Sequence, residues 1–134
     1  MRRALRLPAA GPALVGLAVA AAVCVVAVVD PNQPGHYPLC PVKALTGLSC
    51  PGCGSLRALH ALAHGDLPGA FAHNPLAVAV LPLLVWTYLA WTVRVAVGTA
   101  RHRISPAWMP RAVLVTVALF TVVRNLPTVT WLGR

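Results

Sequence analysis

Three cysteines in this 134-residue chain lie close in sequence, each followed by proline or glycine: Cys40-Pro41, then Cys50-Pro51-Gly52-Cys53-Gly54. A cysteine thiolate can ligate a metal, attack a disulfide or be oxidised into one. The spacing C-x(9)-C-x(2)-C brings Cys50 and Cys53 within reach of a single centre, and paired thiolates with two residues between them are a common half of a zinc site. Cys40, Cys50 and Cys53 are therefore the candidate ligands or disulfide partners. A closed zinc site needs a fourth ligand, and His36 is the better candidate: it stands four residues before Cys40 on a turn-rich stretch. His60 lies seven residues past Cys53 on a predicted helix, an axial rise of ~10.5 Å, too far for ligand atoms sharing one ion.

Oxidation is the competing chemistry. On an oxidising face Cys40 can pair with Cys50 or Cys53 and staple the loop, leaving one thiol over. Cys50 and Cys53 can instead act as an exchanging redox pair, or all three can stay reduced. The order Cys-Pro-Gly-Cys, with no strand and helix alternation around it, excludes a thioredoxin fold. The cofactor expectation is zinc or none.

These residues need elements to place them. Ser55 reads as the cap of a short helix running to about His64. On that helix Arg57, His60 and His64 share one face while Leu56, Leu59 and Leu62 take the other, the pattern of a helix lying on a bilayer surface. Cys53 before the helix N-terminus, with Arg57 one turn later, predicts a stabilised thiolate. The bland alternative makes Arg57 and the histidines a solvated face. Asp66 caps a further short helix, Leu67 to His73, and Asn74-Pro75 starts a long one.

The surrounding composition is not that of a water-soluble domain. Hydrophobic residues make up 58% and charged residues 10%, against about 25% charged in soluble proteins. Eleven Lys and Arg against two acids give +9, but the basic residues bracket apolar runs instead of forming a stripe, which excludes nucleic acid as partner. The lipid bilayer is the expected solvent. A first span lies between Arg6 and Asp30, with Cys24 as a small apolar residue inside it; a cleaved signal ending near Ala18 and Ala20 is the competing reading, disfavoured because the apolar run continues past them. A second starts at Asn74-Pro75, contains Pro82 and ends near Arg94, with Trp86, Tyr88 and Trp91 as an interfacial belt and Thr87 available to a carbonyl freed at the proline. A third is short: the twelve uncharged residues from Ala112 to Val123 rise only ~18 Å. It crosses if Arg111 and Arg124 snorkel to opposite faces, the favoured reading; otherwise Arg124 is an intramembrane charge and a functional suspect.

The expected fold class is an all-α integral membrane protein with three transmembrane helices. The divisions are a cytoplasmic N-terminus and first helix (1–29), an exofacial Cys-rich loop with short amphipathic helices (30–74), a second helix (75–97), a basic cytoplasmic loop (98–110), and a third helix with the C-terminus (111–134). Seven Lys and Arg flank one side and four the other, which places the N-terminus in the cytoplasm and the cysteines outside.

The set Cys40-Pro41, Lys43, Thr46-Gly47, Cys50-Pro51-Gly52-Cys53-Gly54, Arg57-Ala58, Gly65-Asp66 and Asn74-Pro75 resembles a bacterial family of small integral-membrane proteins, domain of unknown function 2752, closely over residues 39 to 77; Arg124-Asn125 extends the likeness. Leu56 departs from it, standing where many members carry Thr. The resemblance implies a multi-span bacterial membrane protein and no agreed reaction; the expected location is the inner membrane. With no complete catalytic constellation among two acids, the chain reads as more a non-enzymatic membrane component than an enzyme, its loop stiffened by disulfide or metal. Its partners are lipid and a membrane protein or a second copy. The rivals are a membrane-surface thiol oxidoreductase using Cys50 and Cys53, and a metal-binding or small transport subunit.

Overall fold

A computed structural model describes residues 10–33, 35–38, 40–99, 106 and 108–127. Among them the chain is all helical: α1 (Ala10–Val28), α2 (Pro41–Thr46), α3 (Ser55–Ala63), α4 (Leu67–His73), α5 (Pro75–Ala96) and α6 (Trp108–Arg124). Arg2, Arg3, Arg6, Arg101, Arg103 and Arg134, which entered the orientation count, lie outside the described residues.

Two helices, α1 and α5, are long and apolar enough to cross a membrane, so the expectation of three such spans is corrected to two. The 17 residues of α6 rise about 25 Å, short of the roughly 30 Å of a hydrocarbon core. The helix ends at Arg124 and does not continue through Pro127. No residue of α5 is buried, and only Pro12 and Val26 of α1 are. Leu17 and Trp86 are about 70% exposed (69% and 71%), so these apolar surfaces are left for something other than the chain's own core to cover.

α1 and α5 pack antiparallel. The Tyr88 hydroxyl in the second half of α5 donates to the Pro12 carbonyl at the start of α1 (2.9 Å), and Trp91 lies against Gly11. Gly16 sits directly under the Tyr88 hydroxyl, with no room for a Cβ; small residues at such crossings let helices approach closely. Asn74 accepts from the Ala77 amide (3.0 Å) and Pro75 fills the first turn of α5. Thr87 donates to Leu84 in its own helix, so it does not serve the carbonyl that Pro82 leaves without a donor.

The buried core is small and sits at the other end of the molecule: Ala58, Ala61 and Ala70, where α3 meets α4, with Leu62 and Val78 packed against it. α3 thus packs on α4 through its alanine side. His60 Nδ1–H donates to the Val26 carbonyl (2.7 Å), one of the C-terminal carbonyls that a helix cannot satisfy itself. This bond fastens α3 to the end of α1. His60 Nε2 is also 3.8 Å from Asp30.

Candidate metal centre

Cys40, Cys50 and Cys53 come together. Their sulfurs all lie within 4.8 Å of one another, with Cys50 Sγ 3.3 Å from Cys40 Sγ and 3.0 Å from Cys53 Sγ. These separations exceed a disulfide bond of about 2.05 Å and fall short of the about 3.8 Å between thiolates sharing a tetrahedral zinc with bonds of about 2.3 Å. Three sulfurs in mutual reach are a donor set for a soft metal ion such as zinc.

The local sequence explains the convergence. Pro41 starts α2, so Cys40 falls at its N-cap, without a formed side-chain cap bond but close to the Lys43 and Val42 amides. These N–H groups, the Lys43 amide above all, hold the Cys40 thiol down at about 7, below its ordinary 9.0. Gly47, in the left-handed region at φ 72°, ends α2 and returns the chain toward Ser49. The Cys50 carbonyl then accepts from the Cys53 amide and Gly52 from Ser55 (both 3.0 Å), two overlapping turns that fold the sulfurs onto one side. Gly54 follows at φ 79°, and a Cβ there would meet the His73 carbonyl at 2.7 Å. Only glycine fits, by backbone angle and by space.

Three polar side chains from outside the cysteine motif hold this turn. Asn74 is fully buried, and the two hydrogens of its Nδ2 group are shared among three acceptors, the Pro51 carbonyl (3.0 Å), the Cys53 carbonyl (3.2 Å) and Ser55 Oγ (3.0 Å). The same amide caps α5 through its oxygen. Asn125, just past α6, accepts from the Ser49 amide and donates to the Ser49 carbonyl (both 2.9 Å), a two-point clamp on the residue before Cys50. Arg124, 2% exposed, donates to the His73 carbonyl (3.2 Å), with its guanidinium 5.7 Å from the Phe120 ring centre and close enough to Cys50 and Cys53 to feel their charge.

Several expected positions differ. Arg124 does not snorkel outward; it is buried against the cysteine turn, where it donates to the His73 carbonyl. His36 does not join the cluster: its Nδ1–H donates to the Asp30 carbonyl (3.2 Å). Ser55 is the first residue of α3 and not its cap; Gly54 holds that position without a side-chain bond, and the Ser55 hydroxyl receives Asn74. Asp66 does cap α4, accepting from the Gly69 amide (2.9 Å). The thiolate expected at Cys53 is also displaced. Burial, aided by its hydrogen bonds to the other two thiols, pushes Cys53 up to about 11, while Arg57 Nε is turned to the Pro31 carbonyl (3.5 Å). Cys40, not Cys53, is the thiol poised to ionise.

Residues 40–88 match the family described as protein of unknown function (DUF2752). The DUF2752 match begins on the first cluster cysteine and ends at Tyr88, so it takes in all three sulfurs and Asn74, while α1, Arg124 and Asn125 fall outside it. No curated protein and no solved structure matches the chain.

Proposed function

We propose that this chain is a non-enzymatic membrane component whose exofacial head is organised around a metal ion held by Cys40, Cys50 and Cys53. The observation that carries the reading is the mutual approach of three sulfurs within 4.8 Å, which no single disulfide needs. A divalent ion with three thiolates carries a net charge of about −1, and the buried Arg124 guanidinium next to it supplies the compensating charge that a buried ion requires. The bare apolar faces of α1 and α5 support lipid as the surrounding medium. Arg94 lies in the last turn of α5, and the excess of Lys and Arg that the sequence carries on that side of the apolar runs supports assigning it to the cytoplasmic face of a bacterial inner membrane, with the cysteines opposite. Exposed apolar faces of this size also suit a membrane partner or a second copy.

The thiol oxidoreductase reading is weakened by Cys53. Were Cys40 to attack a Cys50–Cys53 disulfide at Cys50, the Cys40–Cys50 bond would form and Cys53 would leave as a thiolate; burial pushes the Cys53 thiol up, which makes it a poor leaving group. The deciding experiment is native and intact mass of detergent-extracted protein, before and after reduction and chelation. One zinc-mass ion per chain, lost on chelation and in Cys40→Ser, Cys50→Ser and Cys53→Ser, is expected. A metal-free chain lighter by two hydrogens than its reduced form establishes a disulfide and overturns the metal reading.

A further inference from the structure

The cysteine cluster is not sealed. Cys40 and Cys53 form part of the wall of a cavity of about 600 Å³, together with Lys43 of α2, Arg57 of α3, His73 of α4 and Tyr37. None of the described lining residues is Asp or Glu, so the wall presents cations and sulfur. Among the described residues, no fourth His, Cys, Asp or Glu joins the three sulfurs. Zinc sites with four protein ligands are closed and structural, whereas three protein ligands leave a position for an exchangeable one.

We infer that the cluster is a ligand-exchange site: an ion held by Cys40, Cys50 and Cys53 takes its fourth ligand from the cavity, and that ligand is a small thiol carrying carboxylate groups. The inference rests on the metal reading above and adds to it the class of molecule bound. Two observations select the class. A thiolate-rich centre prefers a soft donor, so sulfur is favoured over oxygen in the fourth position. Lys43 and Arg57, in a wall without acids, favour a molecule with further negative charge, which an Arg fork pairs well when it is a carboxylate. On binding, the incoming thiol gives its proton to solvent, its sulfur bonds the metal, and the water or other ligand in that position leaves; no oxidation state changes.

The test uses the full chain, purified reduced in detergent and loaded with Co²⁺. Cobalt stoichiometry is the first readout, and it examines the metal reading alone: failure to bind one cobalt per chain overturns that reading and the inference with it. Mercaptoacetate and the uncharged 2-mercaptoethanol are then titrated into the loaded protein. The expected result is a rise of about one third in sulfur-to-cobalt charge-transfer absorbance, as three thiolates become four. Half-saturation by mercaptoacetate is expected about tenfold below that of 2-mercaptoethanol, the size of one or two charge-assisted contacts. Lys43→Ala and Arg57→Ala should bring the two thiols to equal half-saturation while cobalt stoichiometry stays at one. Full cobalt binding with no spectral response to either thiol, equal affinity for both in the unaltered chain, or loss of cobalt to the filtrate on adding thiol would each overturn the inference.

Discussion

The cysteine head and the α1–α5 hairpin are built on opposite terms. The head has almost no apolar core, three alanines and little else, and its shape is fixed by directed bonds from Asn74, Asn125 and Arg124 onto backbone carbonyls and amides. The hairpin has long apolar surfaces and few directed bonds, Tyr88 to Pro12 being the one polar link between its helices among the described residues. Directed bonds fail when a single partner is removed, because each leaves a desolvated group behind. Non-directional packing in a surrounding apolar medium tolerates change except where two backbones come close. Substitutions in the two regions should therefore fail in different ways.

The largest effect is expected at Asn74. Asn74→Ala removes three donor contacts and the α5 cap together, leaving the Pro51 and Cys53 carbonyls buried without that donor. At ~1–3 kcal/mol for each unsatisfied group and ~1 kcal/mol for the cap, the loss is ~3 kcal/mol or more. Asn74→Asp keeps the cap acceptor and loses the donor, so it separates the two roles. Thermal unfolding should show both variants failing in the head, with Asp recovering only the cap's share. A head that kept its transition in Asn74→Asp would show that the carbonyl contacts contribute little.

Arg124→Met comes next. It keeps most of the volume but removes the bond to His73 and the charge beside the sulfurs, at a cost of ~2–3 kcal/mol. If α6 is held to the head by this residue and Asn125, limited proteolysis after α6 should accelerate while the α1–α5 contact persists. Unchanged cleavage would assign the docking of α6 to apolar contacts instead.

In the hairpin, Gly16→Ala sets a methyl group against the Tyr88 hydroxyl, an overpacking cost of ~1–3 kcal/mol. Tyr88→Phe alone loses a hydrogen bond, ~1 kcal/mol. The double variant should cost less than the sum, a coupling of ~1 kcal/mol in a double-mutant cycle, and cysteine-bound metal should be the same in all three. Additive losses would mean that the two helices separate enough to absorb the methyl group.

How much of this was readable in sequence follows the same division. The hairpin was legible because its signals are local: the apolar runs, Asn74-Pro75 at the start of α5, and the aromatic residues near Arg94. The convergence of three cysteines was suggested by their spacing, but not what holds them. Asn74 looked like a helix cap and nothing more, since its three other bonds reach residues 51 to 55 across a fold that periodicity does not reveal. Asn125 and Ser49 are 76 positions apart, and neither belongs to a pattern that marks it. α2 was missed because six residues opening on Pro41 are too few for a hydrophobic period to show. The third span was expected because Ala112 to Val123 is apolar; the inward pull of Arg124 is a tertiary contact, invisible in the run itself.

The smallest effect tests the electrostatics inside the head, in metal-free, reduced protein. Cys40 at about 7 is an acid whose folded value lies below its ordinary 9.0, so its ionisation favours the fold above pH 9, and this contribution is lost as pH falls from 9 through 7. Cys53 at about 11 is shifted the other way, so it favours the fold while protonated, and that contribution is lost as pH rises from 9 through 11. Stability should therefore rise modestly between pH 7 and 9 and fall above it, a shape that Cys40→Ser flattens on the lower side and Cys53→Ser on the upper. Alkylation by iodoacetamide mapped by peptide mass should follow the same order, with Cys40 half-reactive near pH 7 and Cys53 unmodified there. Cys53 reacting first would mean that its burial in the turn is lost in the reduced, metal-free chain, and that the head, unlike the hairpin, depends on its ion to keep its shape.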